Sequence, residues 1–142
     1  MLRFAFLASA FFLVATGAFA QGQNQTAPAT PATAATPAAP TVPIAPLATV
    51  QQALAKSGVV LLDVRTPEEF AAGHLSNARN VNFRAADFAA QISQLDPTKT
   101  YVLYCASGNR SGKAAILMQE KGFKQVANAG AYKTLQENGV KK

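Results

Sequence analysis

Residues 101–122 read YVLYCASGNRSGKAAILMQEKG, and the change of pattern inside this stretch decides the fold. Tyr101, Val102, Leu103 and Tyr104 form a short aromatic and β-branched run without polar alternation, the pattern of a strand buried on both faces. From Ser111 to Lys121 the spacing becomes helical, with Ala114, Leu117 and Met118 on one side and Gly122 as the stop. Between the two lies a loop, Cys105, Ala106, Ser107, Gly108, Asn109 and Arg110, with nothing bulky before the arginine. A buried strand that runs straight into a helix is the repeating unit of a parallel sheet.

The rest of the chain extends that pattern. Val59, Val60, Leu61 and Leu62 form a second apolar run, and residues 125–128 a weaker third. Helical stretches are expected over residues 49–56, where Thr49 and Gln52 stand at capping-box spacing, and over 67–72, with Pro67 in the first turn. Two more are expected over 85–95, where Phe88, Ile92 and Leu95 share a face, and over 131–138. Strand and helix alternate, which predicts an α/β fold: an open, mostly parallel sheet with helices on both faces.

The first 46 residues have a different character. Residues 1–3 supply a basic start, the 17 residues from 4 to 20 carry no charge, and Ala18-Phe19-Ala20 has the small-x-small pattern of a cleavage site. Residues 1–20 are therefore expected to be an export signal cut after Ala20, with an uncleaved anchor as the alternative. Residues 21–46 hold six of the eight prolines and no charge, the composition of a Pro/Ala/Thr-rich disordered linker. Residues 47–142 remain as the globular domain, 96 residues with 12 Lys or Arg against 7 acids. That length forms one core without staples. The basic balance suits small anions or plain solubility, and no stacked aromatics or basic cluster indicate a nucleic-acid partner.

Cys105 is the only cysteine, so the chain can form no internal disulfide, and the thiol is buried filler, a bridge between chains or a reagent. Its setting favours the reagent. At the carboxyl end of a parallel strand the chain leaves for a helix, and ligands bind there. Gly108 lets the backbone curl so that amide N–H groups of Ala106, Ser107, Gly108, Asn109, Arg110 and Ser111 turn toward one point, and the helix start adds partial positive charge. An unperturbed thiol of pKa about 8.5 is only about 3% ionised at pH 7, so a cup of donors multiplies the nucleophile. Arg110 either binds an incoming oxyanion or ties the loop to an acid such as Asp63. Asp63 is expected to anchor a strand end, and Arg65 either faces the pocket or pairs with Glu69. His74, the only histidine, is read as structural, and one His with one Cys leaves too few ligands for a structural metal site.

Taken together, Asp63-Val64-Arg65, Glu69 with Gly73-His74-Leu75, Asn80-Val81, the loop from Cys105 through Gly108 and Arg110 to Ser111, and Asn128-Ala129-Gly130 resemble the rhodanese-like sulfurtransferases. The similarity is greatest to small single-domain exported members and spans residues 47–135. What the resemblance implies is thiosulfate sulfurtransferase chemistry through a Cys105 persulfide, with cyanide or another thiophile, including a protein acceptor, taking the sulfur. It implies no metal and no organic cofactor. A monomer without membrane insertion after cleavage, working in the periplasm or outside the cell, completes the expectation. Three departures touch the pocket rim and packing: Gly130-Ala131 stands where members often have two glycines, the chain has no Trp, and Asn82 replaces a common proline. Four residues separate Cys105 from Arg110, where related phosphatases and arsenate reductases carry five, and the shorter loop favours sulfur. A persulfide carrier or sulfur-sensing module is the alternative reading.

Overall fold

The computed structural model describes residues 40–140. The expected export signal and residues 21–39 of the expected linker lie outside the described residues. Four strands, β1 (Val60–Asp63), β2 (Arg79–Asn80), β3 (Thr100–Cys105) and β4 (Gln125–Ala131), form one sheet in the order β2-β1-β3-β4, and every pairing is parallel. The helices are α1 (Leu47–Leu54), α2 (Pro67–Ala71), α3 (Phe88–Ser93), α4 (Asn109–Glu120) and α5 (Tyr132–Glu137). Among the described residues no helix is long and apolar enough to cross a membrane.

Strand alternation divides the core in two. Tyr101, Leu103 and Cys105 of β3 point into a cluster with Phe88 and Ile92 of α3 and Ala114, Ala115 and Met118 of α4. Val102 and Tyr104 point the other way, onto Val50 and Leu54 of α1 and Leu135 of α5. Helices therefore cover both faces, and a strand in this position can carry no polar alternation. Each fully buried Leu or Val contributes about 1.5–3 kcal/mol through the water it sheds.

Local details differ from the sequence expectations. Helix α1 starts at Leu47 after Pro46 with no side-chain cap, so Thr49 already lies inside it and cannot cap. A capping box forms instead at α2, where Thr66 Oγ1 accepts from the Glu69 N–H at 3.4 Å and Glu69 Oε2 accepts from the Thr66 N–H at 3.1 Å. Strand β2 is an addition: its two residues pair with Leu62 and Asp63, and Asn80 Nδ2 also donates to Asp63 O and to Arg65 O, each at 3.0 Å. Strand β4 runs on to Ala131 across a register shift, with Leu103 opposite Asn128 and Tyr104 opposite Gly130.

The end of the expected linker is part of the fold. Val42 N–H donates to Gly112 O at 3.1 Å, Ile44 pairs in parallel with Asn128, and Ala45 N–H donates to Asn128 O at 2.8 Å. The physical reason is that β4 is the sheet's edge, whose free backbone groups take up an extended partner. Val42 and Ala45 pack against the two core clusters on either side. At the carboxyl end of this sheet Asp63, Asn80 and Cys105 are the last residues of the adjacent strands β1, β2 and β3.

Candidate active site

Cys105 is the last residue of β3 and is fully buried. Beyond it Ala106 and Ser107 are exposed, and the chain turns at Gly108, whose φ of +90° is open to glycine at little cost. Gly108 is also the N-cap of α4, so the turn aims the helix start back at the strand end. Its N–H donates to Cys105 Sγ at 3.1 Å, and Ser111 Oγ lies 3.5 Å from the same sulfur.

Burial alone pushes the Cys105 thiol up. The Ser111 hydroxyl and the N–H groups of Ser111, Ser107 and Gly108 outweigh it, and the pKa falls below the ordinary thiol value. These donors stabilise a thiolate and, equally, a persulfide anion one sulfur longer. Ser111 has one hydroxyl proton and three acceptors within reach: Asn128 Oδ1 at 2.7 Å, Gly108 O at 3.2 Å and Cys105 Sγ at 3.5 Å.

Arg110 does not reach Asp63. Its two terminal nitrogens lie on Glu69, Nη1 on Oε2 at 2.7 Å and Nη2 on Oε1 at 2.8 Å. These hydrogen bonds pull the Glu69 carboxyl down to about 2 against the effect of its burial. The same bonds raise the Arg110 pKa, and the Cys105 sulfur adds to the rise. A permanent positive charge therefore stands beside the sulfur, oriented from α2.

Asp63 pairs with Arg65 instead. Arg65 Nε lies 3.0 Å from both carboxylate oxygens, Nη2 lies 2.6 Å from Oδ2, and the Arg65 N–H donates to Oδ1 at 2.9 Å. Arg65 Nη2 also donates to Gly73 O at 2.7 Å, and its guanidinium sits 4.2 Å from the Tyr132 ring centroid and 5.7 Å from that of Tyr104. Both residues are buried, and the stacking puts Arg65 on the Tyr104 side of the sheet, away from Cys105. Neither alternative expected for Arg65, an open pocket wall or a partner for Glu69, describes it.

His74 is exposed, stacks on Phe70 at 3.8 Å between ring centroids, and sets Nδ1 3.0 Å from Phe70 O. Among the described residues, no group of three or more His, Cys, Asp or Glu gathers to hold a metal. Asn109 is exposed at the start of α4. Asn128, a landmark of the resemblance to which the sequence assigns no role, is buried beneath the loop and bonded to Ser111 and to Gly108 O.

Over residues 47–136 the chain matches the family model of the Rhodanese-like domain. It is 31% identical over 80 residues to the thiosulfate sulfurtransferase PspE of Escherichia coli, covering 56% of this chain and 77% of that protein. It is 39% identical over 72 residues to the thiosulfate sulfurtransferase GlpE of Pseudomonas putida, covering 50% of this chain and 63% of that one. Among solved structures, a human single-domain sulfurtransferase aligns with a TM-score of 0.56 at 27% identity, over 67% of this chain and 93% of its own. The rhodanese-like domain of an Anabaena protein aligns at a TM-score of 0.60 and 19% identity, over 70% and 76%, a likeness of fold alone.

Proposed function

The chain belongs to the rhodanese-like domain family, and from that premise we propose that it is a thiosulfate sulfurtransferase working through a Cys105 persulfide. The observation that carries the proposal is the set of donors on the sulfur, with Gly108 N–H at 3.1 Å and Ser111 Oγ at 3.5 Å. In the first half-reaction the Cys105 thiolate attacks the outer sulfur of thiosulfate. The sulfur–sulfur bond breaks and sulfite leaves with its electron pair. In the second, cyanide or another thiophile attacks the outer sulfur of the persulfide, thiocyanate or its equivalent departs, and the thiolate returns. Charge is conserved in each step, so no proton shuttle is needed, in keeping with the position of His74 on Phe70.

Arg110 supplies the positive charge that draws the dianionic donor, while Ser107, Gly108 and Ser111 hold the anionic sulfur. The sulfur is fully buried, so the chain around it must shift for the donor to reach it. The same burial favours a second reading, a carrier that receives sulfur from a protein donor that opens the loop. The proposed place of work is the periplasm or outside the cell, on the strength of residues 1–20, and the proposed state is a monomer.

The test is thiocyanate formation from thiosulfate and cyanide, with intact mass before and after thiosulfate. The wild-type chain gains one sulfur atom and turns over, whereas Cys105→Ser does neither. A Cys105→Ser chain with full turnover ends the proposal. Fast loading by a protein donor together with poor thiosulfate turnover selects the carrier.

A further inference from the structure

Residues 41–45 lie upstream of the family match, yet they touch the Cys105 loop at several points. Over the first turn of α4, Val42 N–H donates to Gly112 O at 3.1 Å. A Cβ on Gly112 would fall 2.9 Å from Val42 O and 3.0 Å from Thr41 Cβ, so the two backbones meet without room for a side chain. Ile44 lies on the loop itself: a Cβ on Gly108 would fall 2.6 Å from Ile44 Cδ1, and one on Gly130 would fall 2.9 Å from Ile44 Cγ2. Among the described residues Ile44 is the large hydrophobic that stays exposed, at 56%. Such a residue outside any core is explained by the two glycines beneath it.

Asn128 joins this segment to the loop from below. It is 2% exposed, and its amide makes the four hydrogen bonds it can make. Nδ2 donates to Val42 O at 2.8 Å and to Gly108 O at 3.0 Å, and Oδ1 accepts from Ser111 Oγ at 2.7 Å and from the Gly130 N–H at 3.1 Å. One side chain thus ties the upstream segment to the carbonyl of the residue whose N–H reaches the sulfur. Gly108, with no side chain, would otherwise be the freest residue of the loop. It is held by Ile44 on one side and Asn128 on the other.

We propose that residues 41–45 are a brace for the sulfur-binding loop, in which Ile44 and Asn128 are positioning residues that keep the Gly108 N–H on Cys105 Sγ. The proposal rests on the reading of Cys105 as the nucleophile. Both residues act through Gly108, and Asn128 also acts through Ser111. The charged group that interacts with the sulfur is Arg110 of α4, held by Glu69 of α2, and substitution at 44 or 128 leaves that ion pair's residues in place.

The test is the pH profile of Cys105 alkylation by iodoacetamide in the processed chain, alongside KM and kcat for thiosulfate. Ile44→Ala slows alkylation at pH 7 about threefold or more and moves the profile to higher pH, and Ile44→Val restores most of the rate. Asn128→Ala gives the same displacement, larger. If Asn128→Ala does not fold, Ile44→Ala, changed at an exposed side chain, still decides. A wild-type profile in folded Ile44→Ala overturns the brace, as does faster alkylation at every pH, the mark of a mere cover over the sulfur. Alkylation needs no sulfur donor, so a wild-type chain that never forms a persulfide would defeat the sulfurtransferase reading and leave this measurement intact.

Discussion

Arg110 and Glu69, 41 residues apart in sequence, face each other through two hydrogen bonds of 2.7 and 2.8 Å. Glu69 is also the third residue of α2 and closes its capping box with Thr66, so one carboxylate closes a helix end and aims the arginine of the sulfur loop. The loop's charge is thereby fixed by a helix that contributes no buried residue of its own.

Glu69→Gln keeps a capping side chain but loses the ion pair. The Glu69 side chain is 35% exposed, so solvent screening holds the expected loss of stability to about 1 kcal/mol. Its folded pKa, about 2, lies below the ordinary 4.5. The contribution is therefore fully present above 4.5 and is lost as pH falls toward 2. Urea denaturation between pH 2 and pH 6 should show the wild-type advantage over Glu69→Gln shrinking on acidification, and thiosulfate KM should rise in the variant at neutral pH.

Cys105 gives a second linkage of the same sign. Its folded pKa is lowered, so over the window between that value and the ordinary thiol pKa the unfolded chain holds the extra proton. Stability then increases with pH through the window and falls away below it. Cys105→Ser has no such group. The difference in urea midpoint between wild type and Cys105→Ser should widen as pH rises toward about 9. A difference that stays flat would mean that the donors around Sγ do not favour its charge.

Asp63→Ala tests a pair that lies apart from the sulfur. Removing the carboxylate leaves the Arg65 guanidinium 5% exposed and without its counter-charge, which costs about 3–5 kcal/mol. Arg65 sits over Tyr104 and Tyr132 rather than beside Cys105. The expected outcome is a large drop in melting temperature with the alkylation rate per folded molecule unchanged. A slowed thiol in the folded variant would assign Asp63 a part in the site.

Strands β1 and β3 are legible in the sequence because a strand buried on both faces must be a continuous apolar run, and Leu62 and Leu103 are fully buried. Strand β2 is not, since it is two residues long, Arg79 and Asn80, and neither is apolar, so it leaves no buried-strand pattern. The loop is legible because Cys105, Gly108 and Arg110 are each required by its chemistry. The ion-pair partners are not, because Asp63 and Glu69 both lie within plausible reach of Arg65 and Arg110, and only the packing of α2 assigns them. Residues 42–45 are masked by the prolines around them, although Val42 and Ile44 stand two apart, as in a strand.

Gly112→Ala turns that last point into a measurement. Gly112 lies in the first turn and a half of α4, where replacing Gly by Ala ordinarily stabilises by about 1 kcal/mol. Here the new Cβ would stand 2.9 Å from Val42 O, 3.0 Å from Thr41 Cβ and 3.1 Å from Asn128 Nδ2. Two of these neighbours belong to the upstream segment, and the third is the amide that ties it to Gly108. Relief requires backbone to move, so overpacking outweighs helix propensity and the net effect is a loss of about 1–2 kcal/mol. Thermal denaturation should show a lower melting temperature, and iodoacetamide should react more slowly with Cys105 because the Val42 carbonyl can no longer bridge to Asn128. A stabilised Gly112→Ala chain would mean that residues 41–45 swing aside at little cost, and the loop would then owe its shape to α4 alone.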